Sequence, residues 1–518
     1  MITTIAGNGE RGFSDDGGLA ASARLARPDG VALDVMGNLY FVERDTFRVR
    51  VVNGVTSPQT NFSISNRGSI SLKTAGCSRT IDVGYARLQP GPGGTAPAGV
   101  AVMQFRQNNV LVSEASVPAV RPILSGRTYA EIGGRVNTGL AIVNPNAQAV
   151  TVSFYFIGED GSPRNGSMTL AAGQQTAAFL DQPPFSVATS GRGTFSFASS
   201  LPVGVVAVRG LTNERGEFLI TTLPVVDLSL AAPPGPAVAP HFAVGGGWST
   251  EVILINPTDS PLTGTVQFTG QSGSPATVTV NEQQGSSFGY SIGPRGAQKF
   301  KTSGPSESPQ VGSARIAPLS GQTPSALVIF SYARKGITVS ETGVPGVTSG
   351  TAFRLYAEAF GDFEHSVEGT LQTGVAVTNL SNAPARVDFE LYLLNGLPSG
   401  VSGTLTVPAN GQVARFLYQI PGFPPVVPRG VLRIVSASEI AVVGLRGRYN
   451  ERVDFLTSTM PAINEAAAAP VESVFPHFAD GGGYTTQFIL FSGSAGQASS
   501  GDLRFFSQPG RNPNPKLR

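Results

Sequence analysis

The chain contains 518 residues, only 14% of them charged, and its formal net charge is +2. Its 64 glycines and 39 prolines, about a fifth of all residues, break helices and favour turns, which excludes a helical bundle or a coiled coil. The near-neutral charge gives no electrostatic reason to expect nucleic-acid binding. The single cysteine, Cys77, excludes an intramolecular disulfide and a cysteine-based zinc site. No apolar run approaches the ~20 residues of a membrane helix, so we expect no membrane span.

The N-terminal segment, residues 1–55, differs from the rest of the chain. Its stretch RPDGVALDVMGNLYFVERDTFRVRVV (27–52) and the glycine-rich stretch before it (2–28) resemble one blade of the NHL-repeat β-propeller family. The resemblance implies a role in protein–protein interaction, which is common in that family. The family usually has Asp-Thr-Gly-Asn-His where this chain has Glu-Arg-Asp-Thr-Phe (43–47), which weakens any ligand role carried over to these positions.

A complete propeller closes with ~4–8 blades, and no second such blade follows residue 55. We therefore interpret residues 1–55 as a remnant or terminal blade, and we expect further blades and an export signal upstream of this sequence. The GNGERG stretch (7–12) matches the GxGxxG pattern of dinucleotide sites. Gly17 and Gly18 would interrupt the helix that such a site needs, so we expect a loop without a cofactor.

Downstream of residue 55 the sequence repeats with a period of about 110–120 residues. A middle landmark and a closing pair of strands follow the first three openings in the same order, and a fourth such set stands before the first opening, at 62–120. The four openings are EIGGRVNTGLAIVNP (131–145), PHFAVGGGWSTEVILINP (240–257), VEGTLQTGVAVTNLS (367–381) and PHFADGGGYTTQFILFSG (476–493). The repeat predicts three complete units, at 121–227, 238–348 and 352–464, and two half-units, at 56–120 and 474–518.

Each unit is predicted to be a β-sandwich. Short apolar stretches rich in Val, Ile, Phe and Thr alternate with turn residues, as is typical of strands, and about 110 residues is the size of one sandwich. Turns are predicted at the Asn-Glu-Arg segments (213–215 and 450–452) and, in the N-terminal blade, at Met36-Gly37-Asn38. The chain is thus expected to be all-β, with tandem immunoglobulin-like sandwich repeats after the NHL-like blade. The Cys…Trp…Cys pattern of antibody domains is absent, so this expectation concerns the architecture only.

Two aromatic residues are the candidate ligand contacts. Trp248 and Tyr484 occupy the same repeat position, each directly after three glycines. An aromatic ring on a glycine-rich edge can stack on a sugar or on a protein partner. The alternative is that each ring packs over its glycines and plugs its sandwich, and we consider this alternative the stronger one.

Other motifs point to structure rather than to catalysis. The GYSIG stretch (289–293) matches GxSxG, but a nucleophile elbow needs a strand–turn–helix context, and this stretch lies in a strand-rich repeat. His241 and His477 share one repeat position, as structural residues do. The third histidine, His365, is not at metal-ligand spacing from either. We therefore predict no catalytic residue, no metal site and no cofactor.

These observations favour a non-enzymatic bacterial protein of the secreted or cell-surface type, with a structural, adhesive or protein-interaction role. One alternative is an array of glycan-binding modules that uses the Trp248 and Tyr484 positions. Another is a fragment of a larger propeller enzyme or binding protein whose active part lies upstream. The expected partner is a protein or a glycan, and the expected location is extracellular or at the cell surface.

The two half-units complement each other. Residues 476–506 correspond to 240–270 of the unit at 238–348, and residues 60–120 correspond to its second half. Each half alone would leave strand edges unpaired, and such edges recruit other strands. We therefore predict that 56–120 and 474–518 pair, either in one chain whose middle units curl into a ring or between chains in head-to-tail association. The competing explanation, which we favour, is that the sequence is a piece of a longer gene product.

Overall fold

The computed structural model describes residues 4–14, 16, 20–33, 39–52, 59–159, 161, 163–230, 236–304, 306–319, 321–492 and 496–507. Its elements are β strands apart from two three-residue 3-10 helices, at Ala20–Ser22 and Leu417–Gln419. The predicted fold class, all-β with sandwich-like packing of antiparallel sheets, is confirmed. None of the helices within these ranges is long and apolar enough to cross a membrane. Residues 508–518 of the predicted half-unit 474–518 lie outside the described residues.

The N-terminal segment forms an antiparallel three-stranded sheet of β1 (Pro28–Leu33), β2 (Leu39–Glu43) and β3 (Arg48–Val52). Glu43 is fully buried, and its carboxylate accepts hydrogen bonds from the backbone N–H of Ala26 and the hydroxyl of Thr46. Val42 and Val49 are paired across β2 and β3, yet they are 45% and 68% exposed. One face of this sheet is therefore apolar and open to solvent.

The strands of the repeat region follow in chain order. Residues 59–118 contain β4 (Gln59–Ile64), β5 (Ser69–Lys73), β6 (Asp82–Pro90), β7 (Ala98–Gln107) and β8 (Val110–Pro118). Unit 1 (residues 123–227) contains β9 (Ile123–Ile132), β10 (Val136–Val143), β11 (Val150–Gly158), β12 (Pro163–Leu170), β13 (Gln175–Phe179), β14 (Gly191–Thr212), β15 (Phe218–Leu223) and β16 (Val226–Asp227). Unit 2 (residues 237–345) contains β17 (Ala237–Val244), β18 (Trp248–Ile255), β19 (Leu262–Gly270), β20 (Val278–Val280), β21 (Gln283–Gly285), β22 (Ser287–Ile292), β23 (Ala297–Ser303), β24 (Gln310–Pro318), β25 (Ser325–Arg334) and β26 (Ile337–Pro345).

The remaining strands belong to a third unit and to the C-terminal segment. Unit 3 (residues 350–464) contains β27 (Gly350–Phe360), β28 (Leu371–Asn379), β29 (Ala385–Leu393), β30 (Pro398–Val407), β31 (Gln412–Phe416), β32 (Val427–Tyr449), β33 (Phe455–Met460) and β34 (Ile463–Asn464). The C-terminal segment contains β35 (Ser473–Asp480), β36 (Tyr484–Phe491) and β37 (Ser499–Ser507).

Units 1 and 3 are built around one long strand that passes through both sheets. The first half of β14 pairs with β9 and β11, and its second half pairs with β10 and β15. The strand β32 does the same in unit 3. In unit 2 the equivalent of the long strand is divided into β24 and β25, which are separated by residues 319–324.

The two terminal segments of the repeat region combine into one sandwich, which we name the closing unit (residues 59–118 with 473–507). Its sheets have the orders β35-β6-β37-β4 and β5-β36-β7-β8, which match β17-β24-β19-β22 and β23-β18-β25-β26 of unit 2. Only the equivalents of β20 and β21 are missing from the described strands. Phe488, Phe505 and Ala101 are fully buried between the sheets. The structure therefore pairs the two half-units within one chain.

The four sandwiches form a closed ring. The buried core of each sandwich continues into the next: unit 1 into Ile253 and Ile329 of unit 2, and unit 2 into Val443 of unit 3. The core of unit 3 continues into Ile489 of the closing unit, whose own core reaches Val206 of unit 1. Because each interface shares an apolar core, the hydrophobic effect stabilises the ring as a whole.

Four strands, one from each sandwich, meet around the ring axis: β8, β15, β26 and β33. Hydroxyl groups connect neighbouring strands there, as three of the junctions illustrate. Thr222 donates to the Ser116 carbonyl at 2.9 Å, the Gly343 N–H donates to Thr221 at 2.6 Å, and Thr342 donates to the Thr457 carbonyl at 2.8 Å. At the fourth junction Ser458 donates to Glu114 at 2.9 Å.

One end of this axis is closed by the Asn-Glu-Arg loops of units 1 and 3, which lie on opposite sides of the ring. The loops exchange reciprocal ion pairs: Arg452 contacts Glu217 at 2.6 Å, and Arg215 contacts Asp454 at 2.7 Å. Both carboxylates are buried. The sequence motif that predicts only a turn thus also joins opposite units across the axis.

Replacing Arg452 by Gln is expected to lower the free energy of unfolding by about 1–2 kcal/mol, because it removes the nearer of the two cations that contact the buried Glu217 carboxylate, the other being Arg215 at 3.7 Å. Chemical denaturation measures this change. The matched control is Arg386→Gln, which removes an exposed pair with Asp388 and should change stability by less than about 0.5 kcal/mol. Equal effects of the two variants would contradict a role of the loops in holding the ring together.

Candidate functional site

A cleft with a volume of about 500 Å³ lies between units 2 and 3. The unit 3 wall includes four residues with small side chains or none: Gly374, Ala376, Ala414 and Gly447. These residues cannot fill the space between the two units. A Cβ atom on Gly447 would lie 2.9 Å from the Phe455 ring, so the glycine also allows that ring to lie flat on the strand. The cleft therefore exists because several strands of unit 3 carry small residues where they face unit 2.

Aromatic rings from both units line this cleft. Trp248 and Tyr332 of unit 2 have ring centroids 4.8 Å apart, and Phe455 of unit 3 meets both of them edge-on at 6.1 Å. Phe416 and Tyr449 extend the aromatic wall on the unit 3 side. Most of these rings are only half-buried. The exposed parts of the rings give the cleft a broad apolar surface, which we name the aromatic cleft.

The three glycines before Trp248 set its position. Gly245, Gly246 and Gly247 have φ values of 87°, 60° and 88°, a region that L side chains rarely adopt. The backbones of Gly245 and Trp248 exchange two hydrogen bonds, which closes a tight hairpin. A Cβ atom on Gly247 would lie 2.3 Å from the Ala333 carbonyl oxygen. This turn begins β18 at Trp248, directly opposite Tyr332 in the sheet register.

Polar groups surround the aromatic rings. Arg415 and Gln419 are exposed at the rim, and Ser366 and Thr457 also line the cleft. Arg334 donates to the Val453 carbonyl at 2.5 Å and lies 3.5 Å from the Asp454 carboxylate, which ties unit 2 to unit 3. An aromatic floor with a polar rim suits a ligand that has apolar faces and polar edges.

His241 lies at the inner end of the cleft. Its Nδ1 contacts the Gln412 amide nitrogen at 3.0 Å, and its ring lies 5.4 Å from that of Phe330. Burial lowers the pKa of His241 to about 4. His477 occupies the same position in the closing unit, where it contacts Gln175, and burial likewise lowers its pKa to about 4. Each of these histidines contacts a glutamine of the neighbouring unit.

A smaller twin of the aromatic cleft lies between the closing unit and unit 1, with a volume of about 270 Å³. Tyr484 stands in the place of Trp248, and its ring stacks on Phe105 with centroids 4.4 Å apart. Phe179 and Phe218 line the twin cleft as Phe416 and Phe455 line the larger one. Each of the two clefts is thus shared by two neighbouring units.

The predicted contact residues, Trp248 and Tyr484, each line a cleft and each stack on a neighbouring strand's aromatic ring. Both side chains are half-buried, so one part of each ring packs against its own sandwich and the other part faces the cleft. Sequence analysis missed Tyr332, Phe416 and Phe455. Each of these three residues has an aromatic counterpart at the equivalent position of a second unit. This recurrence indicates a site only when it is known which units are neighbours in space.

The remaining motifs lie apart from both clefts. Ser291 of GYSIG is an exposed residue of the strand β22, and no helix follows it. His365 is exposed and contacts Asp362 at 2.8 Å. Gly7, Gly9 and Gly12 of GNGERG have positive φ values and lie outside regular strands. Within the described part of the chain, no group of three or more His, Cys, Asp or Glu residues is arranged to hold a metal ion.

Comparison with known proteins gives little support for any assignment. No protein-family model matches this chain, and no curated protein matches it. The crystal structure of Thermotoga maritima 1070 is 13% identical over 21% of this chain and 95% of that chain, with a TM-score of 0.18. SGBP-B of the Bacteroides ovatus mixed-linkage glucan utilization locus, solved with a mixed-linkage heptasaccharide, is 11% identical over 62% and 88%, with a TM-score of 0.10. At these TM-scores the similarities carry no argument about fold or function.

The buried histidines predict a pH dependence of stability. The pKa of His241 is about 4 in the folded protein and about 6.5 in the unfolded chain, so only the unfolded chain takes up the proton as the pH falls from 6.5 to 4. The stability contributed by neutral His241 is present above pH 6.5 and is lost over this interval, by up to about 3 kcal/mol. Thermal unfolding of His241→Gln should therefore show a shallower loss of stability between pH 6.5 and 4 than the unsubstituted protein.

His365→Gln is the control for this measurement, because the exposed His365 has its pKa raised by the hydrogen bond to Asp362. Removing the His365 imidazole should leave the loss of stability between pH 6.5 and 4 unchanged or make it slightly steeper. A loss that is identical in His241→Gln and the unsubstituted protein would show that His241 does not titrate in this way.

Proposed function

We propose that this protein is a non-enzymatic, extracellular or cell-surface binding protein, and that the aromatic cleft between units 2 and 3 holds a carbohydrate ligand. The observation that carries the proposal is the arrangement of Trp248, Tyr332 and Phe455 around one open cleft with a polar rim. The flat C–H faces of a sugar ring stack on aromatic rings, and its hydroxyl groups need polar partners at the edge.

The size of the cleft agrees with this class of ligand. Pockets for small molecules have volumes of about 300–1,000 Å³, and the aromatic cleft has about 500 Å³. The twin cleft has a smaller volume, about 270 Å³. We propose that the aromatic cleft is the main site and that the twin cleft contributes little to binding.

A protein-interaction role is the second candidate, and the exposed apolar face of the N-terminal sheet favours it. Val42, Val49 and Val51 are exposed together on one side of β2 and β3. In a propeller of the NHL type, which the sequence resembles, neighbouring blades cover such faces. We propose that the apolar face of this sheet packs against other β structure. We propose further that the ring of sandwiches, whose sequence repeats were expected to be immunoglobulin-like, presents the aromatic cleft.

Trp248→Ala tests the carbohydrate proposal. On an array of neutral and charged glycans, the unsubstituted protein should bind at least one class, and Trp248→Ala should weaken that binding about tenfold or more, because the main stacking surface is lost. Tyr484→Ala is the matched control, and it should retain most of the binding. Both variants must first show the unchanged circular dichroism and unfolding cooperativity of a folded ring.

Absence of binding to every glycan would overturn the proposal. Unchanged binding by Trp248→Ala would show that the ligand does not bind in the aromatic cleft. An equal loss of binding in Tyr484→Ala would show that the two clefts contribute equally, against the proposal that the aromatic cleft is the main site.

A further inference from the structure

The charged side chains that line the aromatic cleft are all of one sign. Among the described residues that line it, the charged groups are Arg334 and Arg415, and no Asp or Glu side chain lines the cleft. Arg334 shares its charge with Asp454 and donates to backbone carbonyls of unit 3. Arg415 is exposed at the rim, and the hydrogen bond found for it is to the neighbouring Ala414 carbonyl. Arg415 therefore has donors available to a ligand.

The twin cleft supplies an internal comparison. In the strand register, Phe416 of β31 lies opposite Gly374, and Phe179 of β13 lies opposite Gly139 in the same way. The residue before each phenylalanine is therefore equivalent: Arg415 in the aromatic cleft and Ala178 in the twin. No Arg, Lys, Asp or Glu side chain lines the twin cleft within the described residues. The two clefts share their aromatic rings and differ in charge.

We infer that the aromatic cleft takes an acidic saccharide, with a sugar ring stacked on Trp248 and its carboxylate bound by Arg415. This inference rests on the proposed carbohydrate function and specifies the substrate class of that site. A guanidinium group presents paired N–H donors that match a carboxylate, and such charge-assisted bonds are stronger than neutral ones. A neutral sugar would use the aromatic surface but leave the Arg415 charge unused.

The test compares acidic saccharides with the same saccharides made neutral by methyl esterification. The probes are oligogalacturonate and sialyllactose, each measured against its methyl ester by titration calorimetry. The unsubstituted protein should bind at least one acid about tenfold more tightly than its ester, and this preference should weaken with added salt. Arg415→Ala, which copies the residue of the twin cleft, should bind the acid and the ester equally.

Arg386→Ala, an exposed substitution elsewhere on unit 3, is the control and should keep the preference. Equal binding of acid and ester by the unsubstituted protein would overturn this inference while leaving the carbohydrate function in place. A preference that survives Arg415→Ala would also overturn it, since another group would then bind the carboxylate. Failure to bind either acid or ester, while a neutral glycan of the array binds, would overturn it too; failure with every saccharide would overturn the proposed function itself.

Discussion

The pairing of the C-terminal strands with the first strands of the repeat is the interaction on which the rest of the structure depends. The strand β36 lies between β5 and β7, and β37 lies between β4 and β6. Both of these strands are thus hydrogen-bonded on both sides to residues at least 379 positions earlier in the chain. Neither half can bury its apolar face alone, so the ring closes when the sandwich is completed.

Closure gives the ring an alternating character. The closing unit resembles unit 2, and unit 1 resembles unit 3, so two kinds of interface alternate around the axis. Clefts lie at the unit 2–unit 3 interface and at its twin. Buried charges lie at the other two, where Arg209 contacts Glu131 and Glu341, and Arg446 contacts Glu114 and Glu358. Burial opposes ionisation of Glu131, yet the Arg209 and Lys299 charges hold its pKa at about 2. We propose that such pairs specify which faces meet.

Much of this architecture could be predicted from the sequence, because it follows from local patterns. The short apolar stretches predicted strands, and the repeat landmarks indicated that residues 476–506 are the missing first half of 60–120. The aromatic cleft could not be predicted, because Trp248 and Phe455 come from different units and meet only in the ring. The Asn-Glu-Arg loops were predicted as turns for the same reason: Arg452 finds Glu217 235 residues away in the chain. The turn predicted at Met36-Gly37-Asn38 lies outside the described residues.

Closure within one chain is tested most directly by an engineered disulfide between β4 and β37. Asn61 and Asp502 are cross-strand neighbours near the surface, so Asn61→Cys with Asp502→Cys, in a Cys77→Ser background, places two thiols side by side. Asn61→Cys with Asp388→Cys is the control, because Asp388 lies on unit 3. After mild oxidation, the account predicts a monomer with a disulfide between positions 61 and 502 and free thiols in the control. Disulfide-linked dimers, or free thiols at both positions, would contradict it.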